Sequence, residues 1–208
     1  MLTSRFTDAI DYARIAHATQ TRKGSGIPYI YHLLGVASLV IEFGGNEDQS
    51  IAAVLHDVIE DCGESHRQSV RARFGDEVAR IVEACTDGSA ESKASQLDAA
   101  SKRADWTRRK VSYLDHLRQA DPSVLLVSGC DKLHNARAIV QDLENPGVGR
   151  QVFDRFTGGR DGTLSYYHSL ATIFADRNVP IAQQLNSVAD RMHQLAGTNE
   201  RRQMQDRA

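Results

Sequence analysis

The 208-residue sequence predicts an all-α fold, and three features carry that expectation. Apolar residues recur at three- to four-residue spacing in one segment after another, which is the helical period. No run of alternating β-branched residues bounded by turn signals interrupts them, and no internal repeat is evident. Aromatic residues make up 6% and prolines number four, a composition that suits helices better than a β-sandwich.

The elements follow in order. Phe6, Ile10, Ala13 and His17 form the first stripe, with Thr3 and Ser4 placed to cap it. Residues 21–26 break the pattern, and Pro28 fits the first turn of a second helix carrying Ile30, Leu33, Leu34, Ala37 and Val40. Gly44-Gly45-Asn46 ends that helix with residues that tolerate left-handed backbone. A third helix is expected from about Glu47 to Glu60, and its middle, Ile51-Ala52-Ala53-Val54-Leu55, is apolar enough for the centre of a bundle. Helices over Ser65 to Arg73 and Asp76 to Cys85 are punctuated by Phe74-Gly75. Thr86 to Ser101, rich in Ser, Ala, Gly and Asp, is expected to be a long mobile loop. A basic helix from about Lys102 to Gln119 comes next. Asp121-Pro122 then opens a helix over Ser123 to Leu143, which Asn145-Pro146-Gly147 closes. Beyond a glycine-rich turn at 158–162, a helix over Thr163 to Ala175 precedes a last stripe of Ile181, Leu185, Val188, Met192 and Leu195. The expected organisation is one domain over 1–196, with a functional core at about 5–145, C-terminal helices at 150–196 and a polar tail at 197–208.

Hydrophobic residues at 41% and charged residues at 25% are ordinary globular values. A formal charge of −2 and a pI near 6.4 argue against a nucleic-acid partner, whose binding face would be basic. The three cysteines, Cys62, Cys85 and Cys130, lack paired metal-ligand spacing and read as small buried hydrophobes in a reducing compartment. The N-terminus has no apolar signal core, and no apolar run approaches the roughly 20 residues of a membrane span. A soluble, cytoplasmic chain without membrane association is therefore expected.

His32, the pair His56-Asp57, and Asp131 stand inside apolar helical patterns and together offer two imidazoles and two carboxylates. Any one of these histidines alone would be an ordinary core residue. As a set they suit a catalytic divalent cation, and the mixed nitrogen and oxygen donors fit manganese, iron, cobalt or zinc better than magnesium or calcium, with manganese preferred. His56 and Asp57, as helix neighbours, project roughly 100° apart, so one ion between those directions is within reach of both. Glu60 and Asp61 lie one turn onward and are the candidates for taking or orienting a proton in metal-assisted hydrolysis. Asn135, four residues after Asp131, would set an amide beside that ligand to bond substrate or water.

These blocks resemble the HD-domain phosphohydrolases, and more narrowly the hydrolase domain of RelA/SpoT-type alarmone enzymes. Arg22-Lys23, Pro28 to His32, Leu55 to Asp61, Phe74-Gly75, Thr86-Asp87 and Asp131 to Asn135 carry the likeness over about residues 5–145. With no room for a synthetase domain, the chain is similar to the stand-alone alarmone hydrolases. The resemblance implies an HD-domain helical bundle that removes pyrophosphate from the 3′ position of ppGpp or pppGpp, with Mn²⁺ held by His32, His56, Asp57 and Asp131. It further implies a catalytic pair in Glu60 and Asp61 and a substrate-binding pair in Arg22 and Lys23, whose charge suits a diphosphate.

Two departures bear on the substrate. Cys62 follows Glu60-Asp61 where threonine is usual, and Val127-Ser128-Gly129-Cys130 replaces a segment that commonly carries a lysine at position 128. Lys110 offers a replacement charge, and Tyr166, with Tyr167, offers a ring against which a base could stack. A different phosphorylated nucleotide, such as an adenosine alarmone analogue or the 2′-phosphate of NADPH, is the alternative substrate. A regulatory metal-binding module without turnover is disfavoured by Glu60-Asp61. A two-iron oxygenase would need further ligands, and the helical phases of His66 and His116 show no convergence on the site.

Overall fold

The computed structural model describes residues 1–86 and 98–205. Among them are ten α-helices and no strand; the only extended pairing is an isolated bridge between Thr21 and Pro28. The all-α expectation is met. The helices are α1 (Ser4–Ala16), α2 (Ile30–Glu42), α3 (Glu47–Leu55), α4 (Val58–Cys62), α5 (His66–Phe74), α6 (Asp76–Cys85), α7 (Ala99–Gln119), α8 (Pro122–Glu144), α9 (Gly159–Asp176) and α10 (Ala182–Ala196). A 3₁₀ segment, Gly149–Arg155, precedes α9. Most of the loop expected between Thr86 and Ser101, Asp87 included, lies outside the described residues, as does the end of the polar tail. No described helix is long and apolar enough to cross a membrane.

The described residues divide into two compact units, one holding residues 1–86 and 121–131 and the other 98–120 and 132–205. In the first, α3 is the central rod: Ile51 through Leu55 are each fully buried, packed among α1, α2 and α6. Its start is fixed by a capping box in which the Asn46 side chain accepts from Gln49 N at 2.9 Å and Gln49 Oε1 accepts from Asn46 N at 2.7 Å. Asn46 thus caps α3, and only Gly44 adopts the left-handed backbone, at φ +80°. Arg5 ties the start of α1 to the same turn, reaching Glu47 at 3.1 Å and Asp48 at 2.8 Å. Such solvent-screened pairs add little to stability.

Two departures from the expected elements affect function. Pro28 precedes α2 and pairs with Thr21, which closes the neck of the loop carrying Arg22 and Lys23. The helix expected over Glu47 to Glu60 is broken: α3 stops at Leu55, His56 and Asp57 form a turn, and α4 begins at Val58.

In the second unit α9 and α10 pack on one another, and α7 packs on α9. Arg177 bonds the C-terminal carbonyls of α7 (Leu117 at 3.2 Å, Arg118 at 2.5 Å and Ala120 at 2.8 Å), satisfying acceptors that the helix leaves open. The glycine-rich stretch is not a free turn. Helix α9 starts at Gly159, and Gly158 and Gly162 are small because the indole of Trp106 lies against them: a Cβ at Gly158 would overlap the ring, and one at Gly162 would lie 3.0 Å from it. Gly158→Val is therefore expected to destabilise the protein by about 1–3 kcal/mol through overpacking, a loss that Trp106→Leu in the same chain should partly restore in chemical denaturation. An unchanged unfolding midpoint for Gly158→Val would contradict this packing.

Candidate metal centre

The centre begins at the break between α3 and α4. His56 Nδ1 lies 2.8 Å from the Ala53 carbonyl, an acceptor, so Nδ1 carries the proton and Nε2 is left as the lone-pair nitrogen of the neutral ring. Asp57 then adopts φ −96°, ψ −3°, which turns the chain so that both side chains face inward. His32, fully buried on α2, and Asp131 on α8 complete the cluster.

Four donor atoms converge. His32 Nε2 is 3.2 Å from Asp131 Oδ1 and 3.6 Å from Asp57 Oδ2, while His56 Nε2 is 3.0 Å from Asp57 Oδ2 and 3.6 Å from Asp131 Oδ1. His56 Nε2 is buried within 3.0 Å of one carboxylate oxygen and 3.6 Å of the other. Ligands about 2.1 Å from a shared cation stand roughly 3.0–3.4 Å apart on neighbouring corners, so this donor set fits a divalent metal. Among the described residues, His32, His56 and Asp57 also form the one group of three metal-ligating side chains. His66 is engaged elsewhere, 2.7 Å from the Tyr12 hydroxyl.

The carboxylates and burial act on the two imidazoles in opposite directions. Burial disfavours charge on His56, but the adjacent Asp57 carboxylate outweighs it and raises the imidazole well above its ordinary value. Asp57 is correspondingly held below the usual carboxylate range: burial opposes its charge and His56 more than offsets that. His32 moves down, chiefly through burial.

Tyr29, legible in the sequence only as part of the block Pro28 to His32, is a member of this centre. Its hydroxyl donates to Asp57 Oδ2 at 2.6 Å. Burial first, and the Asp57 charge second, push its pKa far up, so it stays a donor. The His17 ring stacks on Tyr29 at 5.1 Å, and the Arg22 guanidinium lies 5.6 Å from the Tyr29 centroid, so Arg22 is placed beside the aspartate's hydrogen-bond partner. Lys23 is exposed on the same loop. Asp61 N bonds to Asp57 O at 2.9 Å, which sets Asp61 one turn after Asp57. Its Oδ2 accepts from Gln20 at 2.8 Å, while Glu60 beside it is half-buried. Gln20 and His17, like Tyr29, were missed; the signal available was their place within six residues of Arg22-Lys23.

The remaining candidates belong to the second unit. Asn135 lies one turn beyond Asp131 on α8. Lys110 and Tyr166 are brought together, with the ammonium 5.1 Å from the ring centroid, and the edges of Trp106 and Tyr167 flank a Tyr166 that is buried. In the first unit, Ser128 is buried at the position where the resembled enzymes commonly carry a lysine.

An all-α fold whose buried centre is a pair of histidines and a pair of aspartates defines a helical protein built around a His/Asp metal site. The chain belongs to the HD domain family, whose model matches residues 9–164. Membership implies dependence on a divalent metal, and a His/Asp cluster able to hold one is present. Among curated proteins the chain is 33% identical over 131 residues to a guanosine-3′,5′-bis(diphosphate) 3′-pyrophosphohydrolase of Aquifex aeolicus, covering 63% of this chain and 17% of that protein. It is 37% identical over 144 residues to a probable enzyme of the same name from Synechocystis, covering 69% and 18%. A probable GTP pyrophosphokinase of Mycobacterium leprae is 35% identical over 131 residues, covering 63% and 15%. The chain thus spans less than a fifth of these relatives. Among solved structures, a metazoan ortholog of SpoT that hydrolyses ppGpp shares the fold with a TM-score of 0.57 at 23% identity, covering 86% of this chain and 98% of that one. A protein of Listeria monocytogenes EGD-e does so with a TM-score of 0.63 at 23% identity, covering 82% and 97%.

The proton-for-metal exchange has a measurable sign. A raised His56 pKa stabilises the metal-free fold fully below the ordinary value of 6.5, and that stabilisation is lost as pH rises through the folded value. The lowered Asp57 pKa stabilises above the ordinary 3.8 and is lost as pH falls through the folded value. Metal binding requires His56 neutral, so the rise in Tm produced by Mn²⁺ over chelator should grow between about pH 6 and about pH 8. A thermal shift that shrank over that range would count against ligation by His56.

Proposed function

We propose that this chain is a metal-dependent phosphohydrolase that removes pyrophosphate from the 3′ position of guanosine 3′-diphosphates, ppGpp and pppGpp. The observation that carries the reading is the convergence of His32, His56, Asp57 and Asp131 donors at 3.0–3.6 Å, with a carboxylate of the next helical turn beside them. These four residues would hold the cation, manganese in this reading. When bound, it supplies Lewis acidity toward a phosphoryl oxygen and a water nucleophile at neutral pH.

The chain's own residues do the rest. Asp57 is kept oriented by the Tyr29 hydroxyl, and His56 by the Ala53 carbonyl. Glu60 and Asp61 take and return the proton, and Arg22 and Lys23, on a loop closed at Thr21 and Pro28, meet the diphosphate. The names carried by the Aquifex and Synechocystis relatives support the guanosine substrate. A small-molecule nucleotide partner and a cytoplasmic setting belong to the same reading. The buried Ser128 favours one competing possibility, another phosphorylated nucleotide, because a basic side chain is missing there.

Purified protein with Mn²⁺, offered ppGpp, an adenosine 3′-diphosphate analogue and NADPH in parallel, should release pyrophosphate from ppGpp. Turnover of either other nucleotide with none of ppGpp would overturn the substrate assignment and leave the metal chemistry standing.

A further inference from the structure

We infer that Gln20 is a positioning residue for Asp61, with His17 fixing the direction in which its amide points; this rests on Asp61 belonging to the proton-handling pair. Three side chains separated in sequence form one line of hydrogen bonds. Gln20 Nε2 donates to Asp61 Oδ2 at 2.8 Å, and Gln20 Oε1 lies 2.6 Å from His17 Nδ1. A carboxylate accepts only, so the NH₂ end of Gln20 faces Asp61. The carbonyl end therefore faces His17, and His17 Nδ1 carries a proton. The amide has a single satisfactory orientation while Asp61 is ionised.

The anchor of the line is rigid. His17 is 4% exposed, its ring stacked on Tyr29, with Cys62 Sγ 3.4 Å from Nδ1. Burial, then the nearby Asp61 charge, push the Cys62 thiol up to about 11, so it is a neutral neighbour. The backbone holds Gln20 as firmly: its N–H bonds His17 O at 3.0 Å, and its carbonyl accepts from Tyr29 N at 3.0 Å. Gln20 thus sits at the neck of the loop bearing Arg22 and Lys23, one residue before the Thr21–Pro28 bridge. Asp61 is exposed and would otherwise swing through several rotamers. Holding Oδ2 leaves Oδ1 as the oxygen that exchanges the proton.

Removing a hydrogen bond to a charged group predicts a fall in kcat of roughly 10- to 100-fold for Gln20→Ala, with KM, metal content and Tm little changed. In the Asp61→Asn background the same substitution should cost nothing further. An equal loss in both backgrounds, or a raised KM at constant kcat, would overturn the inference and make Gln20 a support of the Arg22 loop. A second readout needs no substrate. In ¹⁵N spectra of histidine-labelled protein, His17 should show a protonated Nδ1 whose signal shifts in Gln20→Ala. It should shift again in Asp61→Asn, where the Gln20 amide is free to reverse. A His17 signal indifferent to both variants would also overturn it. If the wild type turns over no guanosine nucleotide, the functional reading fails, and the spectra still decide whether Gln20 links Asp61 to His17.

Discussion

Asp57→Ala should empty the metal centre and abolish turnover, with a loss of about 10³-fold or more, because it deletes one of the four proposed ligands and the metal's several kcal/mol of transition-state stabilisation go with it. The substitution acts in a second way. Asp57 is the largest favourable influence on the buried His56 imidazolium, so without it burial governs His56, which deprotonates nearer to or below its ordinary value. The metal-free variant should therefore lose the stabilisation that the wild type keeps between the lowered Asp57 pKa and the raised His56 pKa. Its Tm should respond less to pH above about 6 than the wild type's in chelator. Metal content by elemental analysis, turnover and chelator-state melting curves form one data set. A variant that kept a full equivalent of metal and its rate would remove Asp57 from the centre.

Glu60→Gln should separate binding from chemistry. The exchange keeps size and hydrogen-bonding capacity and removes only the ability to accept a proton. Because Glu60 lies beyond the break, on α4, the ligands on α2 and at the turn stay in place. Metal content and Tm should stay at wild-type values while kcat drops by about 10²- to 10⁴-fold, the usual contribution of a positioned acid or base. Unchanged turnover would take Glu60 out of the mechanism and leave Asp61 as the proton acceptor. A wild type that bound metal and nucleotide but released no product would support a regulatory module instead. The two variants have opposite signatures: metal is lost with turnover in one and kept without it in the other.

Much of this was legible in the residues themselves. Helical spacing and capping side chains placed the helices, with α1 beginning after Thr3 and α6 spanning Asp76–Cys85 as expected. The four residues of the cluster stood out because two imidazoles and two carboxylates inside apolar helices are costly to bury without a cation. Local chemistry could not reveal the break at His56-Asp57, since neither residue is a helix breaker; the ring of His56 bonding Ala53 and the inward turn of Asp57 end the helix there. Nor could it separate a glycine needed for a turn from Gly158 and Gly162, which are small because Trp106 occupies the space a side chain would fill.

The sequence by itself determined the helical class, the order of the elements and which side chains carry donor atoms suited to a metal. These depend on periodicity, on caps and on the kinds of atoms each side chain carries. Only the tertiary structure decided how the ligands are held: Tyr29 meets Asp57 across 28 positions and Gln20 meets Asp61 across 41. Such pairings are set by how α2 packs on α3 and α4 on α1, and by where the Thr21–Pro28 bridge closes its loop. Spacing along a chain specifies which residues share a helix face, but the partner brought to that face depends on the packing of every helix between them.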